Sequence, residues 1–162
     1  SSLGEYLTNI LQMEPDEKII YMVATDDYSG YMLFAFENGK VAKISLKSYA
    51  TKTNRKKLAN AYSDLSKLVG IMYIKDDIEL VAYSSIKKVL IFDTSNINVK
   101  TTRDSQGVQV LKEKKGSWMV AVKTIEQSGI KDLDYYRTKN IPAIGRYMKD
   151  EDSEDKQIAL DI

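Results

Sequence analysis

The sequence contains no cysteine and no histidine among its 162 residues. A disulfide framework, a thiol nucleophile, a histidine base and a zinc site are therefore excluded. No apolar run approaches the roughly 18 residues of a membrane-spanning helix, and no signal-peptide pattern opens the chain. These absences are compatible with a reducing cytoplasm, the location we expect, and indicate no membrane partner.

The length of the chain fits one domain that buries roughly 68–70% of its unfolded surface. Because Ser1 is not a natural initiator, we expect the chain to be a fragment of a longer protein.

The formal net charge of +1 hides a segregation of charge along the chain. Residues 1–37 hold one lysine and seven acidic residues, residues 38–148 hold 21 basic and 10 acidic residues, and residues 149–162 hold two lysines and six acidic residues. We therefore expect a basic body with an acidic tail over residues 149–162. The run Asp150–Asp155 has nothing to bury, so the tail is predicted to be disordered.

The sequence repeats itself. The segments 36–44 and 48–55 align with 83–91 and 96–103, and Lys52, Thr53 and Arg55 recur 48 residues later as Lys100, Thr101 and Arg103. Each copy is followed by an apolar run. A fixed period of this length is typical of a supersecondary unit that cannot bury its apolar face alone. With strand-sized runs in each unit, the repeat predicts propeller-like blades of about four strands.

Short segments rich in β-branched and aromatic residues predict an all-β fold of antiparallel strands in an incomplete ring. The first three such segments span residues 19–24, 31–36 and 40–44. Asn38-Gly39 predicts a type I′ hairpin turn, and Asp76-Asp77 predicts a second hairpin between residues 68–75 and 78–84. These aspartates, like Asp26-Asp27, suit turns better than Mg²⁺ binding.

The predicted blades occupy residues 1–148, as the end of one repeat, two full repeats and a partial closing unit over 128–148. The segment Leu3–Met13 allows two interpretations, an amphipathic helix or the end of a preceding repeat. Aromatic residues in strand runs, Trp118 among them, are predicted to be core residues. Tyr49 and Tyr62 lie in loops near basic residues and are candidates for contacts with DNA.

The repeats resemble those of the C-terminal DNA-wrapping domain of bacterial type IIA topoisomerases, the A subunit of DNA gyrase and its topoisomerase IV counterpart. The resemblance covers roughly residues 5–125 and is most specific at Arg103 and Gln106-Gly107-Val108. It implies a β-pinwheel, in which neighbouring blades exchange strands around a ring. It also implies that a basic outer rim bends duplex DNA and presents a segment of it to the catalytic core.

The resemblance further implies that this fragment is itself non-catalytic and holds no cofactor. The parent would be an ATP-hydrolysing DNA topoisomerase, with ATP and Mg²⁺ bound only in the holoenzyme. Its expected partners are duplex DNA, the remainder of the gyrase-like A chain and the ATPase B chain. None of the tyrosines here takes the role of the family's active tyrosine.

The sequence departs from the family at one functional motif. Gyrases carry a glycine-rich basic box, whereas the matching stretch Thr53–Asn60 keeps three consecutive basic residues and has no glycine. Full chiral wrapping and negative supercoiling are therefore not assured, and a topoisomerase IV-type subunit with weak wrapping is an alternative. A propeller-like protein-interaction scaffold, whose basic loops are merely solvated, is another.

Basic residues that recur on adjacent blades form a stripe, which suits a polyanion better than a small ligand. They would neutralise DNA phosphates without reading bases. The first group of predicted DNA-binding residues is Lys47, Lys52, Arg55, Lys56, Lys57, Lys100 and Arg103. The second group is Lys87, Lys88, Lys112, Lys114 and Lys115. We predict no catalytic residue and no metal ligand.

Overall fold

A computed structural model describes residues 27–50 and 61–153. Over these residues the chain forms two β-sheets, joined by short turns and by a few single-turn helices. The all-β prediction is confirmed. The predicted strand at residues 19–24 and the segment Leu3–Met13 lie outside the described residues.

The first sheet, here called blade 1, is built on a hairpin and an inner strand. Its strands are β1 (Tyr31–Phe36), β2 (Lys40–Ser45), β3 (Leu68–Ile74), β6 (Val99–Lys100) and β7 (Val108–Gln109). The strand order is β3-β1-β2-β6, and β7 also pairs with β2. The central strand β1 is antiparallel to both neighbours and is almost wholly buried.

The second sheet, blade 2, repeats this plan. Its strands are β4 (Glu79–Ser84), β5 (Lys88–Asp93), β8 (Met119–Thr124) and β9 (Arg146–Tyr147), in the order β8-β4-β5-β9. Strands β4 and β5 follow β1 and β2 at an offset of 48 residues. The inner-strand pairing shifts register at Ala35/Phe36 in blade 1 and at the equivalent Tyr83/Ser84 in blade 2. The repeat in the sequence is therefore a repeat in the structure.

The turn between β1 and β2 differs from the predicted type I′ turn. The amide of Gly39 donates to the carbonyl oxygen of Phe36 at 2.9 Å. Gly39 has a φ of 83°, but Asn38 is not among the residues with positive φ. A type I′ turn needs positive φ at both central residues, so that prediction was wrong. Only the last turn residue takes the left-handed conformation.

Strand exchange links the two blades. Strands β6 and β7 follow β5 along the chain, yet both pair with β2 of blade 1. At Gly107, just before β7, an added Cβ would overlap the carbonyl group of Val41, so glycine permits this close approach. In blade 2 the edge position beside β5 is filled by β9, from still later in the chain. This exchange is the one that the β-pinwheel prediction requires.

The predicted hairpin at Asp76-Asp77 was wrong. The strands on either side of it, β3 and β4, belong to different sheets, so the two aspartates lie in a connection between blades. Asp77 accepts hydrogen bonds from Lys43 Nζ of blade 1 and from the Thr94 hydroxyl of blade 2.

Three apolar clusters hold the described chain together. The largest lies between the sheets and includes Leu33, Val41, Leu80, Phe92 and Met119. A second covers the other face of blade 1, around Phe34 and Ile44. The third joins the other face of blade 2 to the closing unit, which comprises residues 125–153. Trp118 is 46% exposed, so its prediction as a core residue was wrong.

The closing unit contains two one-turn helices, α1 (Ile125–Ser128) and α2 (Leu133–Tyr136), before β9. Thr124 caps α1 through a reciprocal pair of hydrogen bonds with Gln127. Ile130 and Tyr136 then pack against Val81, Val89 and Ile91 of blade 2. The unit therefore covers a sheet face that would otherwise expose apolar side chains.

The start of the predicted acidic tail is part of this unit. Asp150–Asp152 forms a 3-10 turn, and Asp152 is 1% exposed. Its carboxylate accepts hydrogen bonds from the Lys131 amide and the Tyr136 hydroxyl, each at 2.9 Å. The expectation that this acidic run buries nothing was therefore wrong for Asp152. Residues 154–162 lie outside the described residues.

Candidate nucleic-acid interface

The outer edge of blade 1 carries two of the predicted DNA-binding residues. Strand β6 runs parallel to β2, with Lys100 opposite Ile44. The side chain of Lys100 is exposed, as is that of the neighbouring Val99. Because β6 comes from the second repeat, strand exchange moves Lys100 and the residues after it onto the rim of the first blade.

A third predicted residue, Lys47, lies beside them. A 3-10 turn, Leu46–Tyr49, follows β2 directly. Leu46 is buried, and its amide donates to the Gly30 carbonyl at 3.0 Å, which fixes the turn against the sheet. Lys47 is left exposed at the edge.

A polar cleft joins the turn to the segment after β6. It has a volume of about 290 Å³ and is lined by Ser48, Thr101, Thr102, Arg103 and Asp104. Hydroxyl groups and a guanidinium suit phosphate oxygens, although Asp104 adds one negative charge. We call Lys47, Ser48, Lys100, Thr101, Thr102 and Arg103 the rim cluster.

Tyr49 and Tyr62 have packing roles that their loop positions did not predict. Their rings lie 6.4 and 5.5 Å from that of Phe34, and the Tyr49 hydroxyl donates to the Ala61 carbonyl at 2.6 Å. Burial raises the pKa of Tyr49 well above its ordinary value, and the positive charge of Arg103 opposes this shift. Tyr49 is therefore a neutral support beneath the rim cluster.

A second basic loop follows β7. Lys112, Lys114 and Lys115 are all exposed. The Lys112 amide donates to the Ala143 carbonyl at 2.8 Å, and a turn is closed by the Ser117 amide donating to the Lys114 carbonyl at 2.9 Å. The loop is thus tied at its base to the closing unit and presents its lysines at the tip.

The β4–β5 turn separates the other two predicted lysines. Lys87 is exposed, whereas Lys88 is 9% exposed and its Nζ lies 4.8 Å from the centre of the Tyr147 ring. Lys88 is therefore not presented at the surface, because the pleat of β5 turns it beneath β9. Lys52, Arg55, Lys56 and Lys57 lie outside the described residues.

Sequence reasoning missed Arg146 at the outer edge of blade 2. Arg146 is exposed and pairs with Val89, in the position that β7 occupies in blade 1. Its guanidinium carbon lies 4.9 Å from the centre of the Tyr135 ring. The signal that could have found it was Gly145, which precedes the edge strand as Gly107 precedes β7. Both glycines have positive φ.

Within residues 27–50 and 61–153, no three carboxylate side chains gather to hold a metal ion. The same residues include no helix long and apolar enough to cross a membrane.

Comparison with solved structures identifies the class of fold. A C-terminal domain of DNA topoisomerase IV matches 72% of this chain and 36% of its own chain, with 28% identity and a TM-score of 0.59. A C-terminal domain of DNA gyrase A matches 86% of this chain and 50% of its own, with 15% identity and a TM-score of 0.59. The E. coli ParC C-terminal domain matches with 15% identity and a TM-score of 0.52, over 72% of this chain and 49% of its own.

These matches, with the strand exchange described above, define a β-pinwheel. The resemblance in the sequence is confirmed, since the chain is similar to the C-terminal domains of gyrase A and topoisomerase IV subunits. It spans between about a third and a half of the length of these solved domains. No protein-family model matches the sequence, and the search of curated proteins gives no match either.

Proposed function

We propose that this chain is a DNA-binding and DNA-bending domain from the A chain of a type IIA topoisomerase, acting through the basic edge of its blades. The observation that carries the proposal is the strand exchange that brings Lys100 and Arg103 of one repeat beside Lys47 of the other. Rim charges from consecutive repeats therefore meet on one edge. The similarity to the topoisomerase IV and gyrase A domains supports the same function.

The chemistry of the rim favours contacts with the DNA backbone. Lysine, arginine and hydroxyl side chains bind phosphate oxygens and position a duplex without reading its sequence. A curved line of such contacts repays the elastic cost of bending DNA. In the whole protein, which we propose to be an ATP-hydrolysing topoisomerase with an ATPase B chain as partner, the bent DNA would be presented to the catalytic core.

The proposal is tested by the salt dependence of duplex binding. Neutralising two phosphate contacts in Lys100→Ala/Arg103→Ala should lower the log–log slope by about 1.8, at about 0.9 per contact. The matched control is Lys75→Ala/Lys131→Ala, which removes two exposed charges from a connection between blades and from the closing unit. It should leave the slope close to that of the parent.

Two results would overturn the proposal. One is the absence of measurable duplex binding at low salt. The other is a slope that falls as much in the control variant as in the rim variant, because charge alone would then explain binding.

We further propose that bending occurs without strong chiral wrapping, as in the topoisomerase IV-type alternative. The support is the stretch Thr53–Asn60, which lacks the glycines of the gyrase box. The measurement is the linking number of a circular plasmid relaxed by a type I topoisomerase in the presence of the domain. A linking number unchanged from that of protein-free plasmid is expected, and a large change of one sign would contradict it.

A further inference from the structure

A second concave surface lies on blade 2, where the closing unit leaves part of the sheet uncovered. It has a volume of about 660 Å³, within the range of ligand sites. Strands β4 and β8 line one side, and β9 with the 3-10 turn after it lines the other. We call this surface the blade 2 cleft.

Large apolar side chains are exposed at this cleft. Val120 and Tyr147, which line it, are 43% and 62% exposed. Trp118, 46% exposed, adjoins it, because its backbone is hydrogen-bonded to Ser85, next to the lining residue Ser84. Apolar groups gathered at one concave place, rather than scattered, mark an interaction site.

Two ammonium groups give the cleft a positive character. Lys87 and Lys123 are among its lining residues, and Asp150 is the one carboxylate among the lining residues that the structure describes. The Nζ of Lys123 lies 5.2 Å from the centre of the Tyr83 ring, which holds the charge over the cleft wall. Below the edge, Lys88 contributes a third positive charge against Tyr147.

The backbone at Lys87 indicates that its side chain serves a purpose other than folding. Lys87 has a φ of 62°, in the left-handed region, and its counterpart 48 residues earlier is Gly39, with a φ of 83°. A glycine would adopt this conformation without strain, so a lysine here is kept at a cost to stability. Strain at a non-glycine residue supports a functional role when independent geometry agrees.

We propose that the blade 2 cleft binds a short peptide of a partner protein, in which acidic residues alternate with large apolar ones. The apolar side chains would pack on Val120 and Tyr147, and the carboxylates would pair with Lys87 and Lys123. A duplex is convex and follows the blade edges, so it does not fit inside this concavity. The inference stands apart from DNA binding at the rim cluster.

The variant Lys87→Gly separates this role from folding. It removes one ammonium group and relieves the left-handed strain, so its thermal midpoint should equal or exceed that of the parent. The probe is a synthetic hexapeptide, acetyl-Glu-Phe-Asp-Leu-Asp-Glu-amide, titrated into the full chain. Trp118 is the single tryptophan, so its fluorescence reports binding at the cleft.

We expect saturable binding that is about three- to tenfold weaker in Lys87→Gly, the scale of one partly exposed ion pair. Lys131→Ala, which removes a lysine outside the cleft, should bind as the parent does. A peptide with lysine at each acidic position should not bind.

Three results would overturn the proposal: no binding of the acidic peptide, equal affinity of the parent and Lys87→Gly, or equal binding of the lysine peptide. Displacement of the bound peptide by a DNA duplex at equimolar rim sites would also overturn it, by making the cleft part of the DNA surface.

Discussion

The buried ammonium group of Lys43 lies 2.7 Å from Asp77 Oδ1 and so ties blade 1 to the connection between the blades. Lys43 is only 3% exposed. Its Nζ also donates to the Thr94 carbonyl of blade 2 at 3.1 Å and lies 4.8 Å from the centre of the Tyr31 ring. The charge is therefore held by partners on both sides of the interface between blades.

Removing one partner should cost more than removing the charge. Asp77→Ala leaves a buried ammonium without its counter-ion and should lower the free energy of unfolding by about 2–3 kcal/mol. Lys43→Met replaces the charge with an apolar chain of similar length and should cost less than about 1 kcal/mol. Urea unfolding of both variants checks this, and a larger loss in Lys43→Met would contradict it.

Strand exchange can be tested at Gly107. Gly107 and Gly116 both have positive φ, but an added Cβ at Gly107 would overlap the Val41 backbone, whereas at Gly116 it meets nothing within 4 Å. Gly116→Ala should therefore cost about 1 kcal/mol from backbone strain alone. Gly107→Ala should cost at least about 2 kcal/mol, because β7 must move away from β2. Equal losses in thermal unfolding would indicate that β7 does not approach blade 1 this closely.

The buried carboxylate of Asp152 is predicted to hold the closing unit in place. Asp152→Ala leaves the Lys131 amide and the Tyr136 hydroxyl without this acceptor and should cost about 2 kcal/mol. The adjacent Glu151 is exposed, so Glu151→Ala should stay within about 0.5 kcal/mol of the parent. Chemical denaturation followed by tyrosine fluorescence compares the two. If both variants matched the parent, the turn at 150–152 would not be docked.

Glu113 should make stability depend on pH near neutrality. Burial, with a smaller contribution from the negative charge of Glu37, raises the pKa of Glu113 from its ordinary 4.5 to about 7, although the Met119 amide opposes the shift. The folded state therefore holds this proton more tightly than the unfolded state. The resulting stabilisation is complete below pH 4.5 and is lost as the pH rises through 7.

Glu113→Gln removes this titration. At pH 8 the variant should be more stable than the parent by about 1 kcal/mol, the lower end of the cost of an unsatisfied buried acceptor, and the difference should shrink towards pH 5. Glu126→Gln, an exposed change in α1, is the control and should show no such trend. A pH-independent difference between Glu113→Gln and the parent would show that Glu113 is ionised throughout this range.

The class of fold followed from the sequence because its causes are local. Alternating strand residues at 31–36 and 40–44 form β1 and β2, and the repeated pattern forms β4 and β5 at the same offset. The turn at Gly39 was placed correctly although its type was not, since φ at Asn38 depends on how β2 continues. These features need only the chain's own neighbours.

What the sequence left undetermined depended on partners far along the chain. The Asp76-Asp77 segment joins different sheets rather than one hairpin, because β3 pairs with β1 and leaves β4 to begin a new blade. Lys88 and Asp152 are buried and Trp118 is exposed, since β9, α2 and the β8 edge decide which side chains are covered.

The sequence by itself determined the repeat, the strands and the basic character of the rim, all of which depend on residue type and spacing. Only the tertiary structure decided that Lys100 and Arg103 lie beside Lys47, because strand exchange carries one repeat onto the edge of the other. Backbone pairing between distant segments satisfies the hydrogen bonds of an open sheet edge. No local pattern specifies which segment will do so.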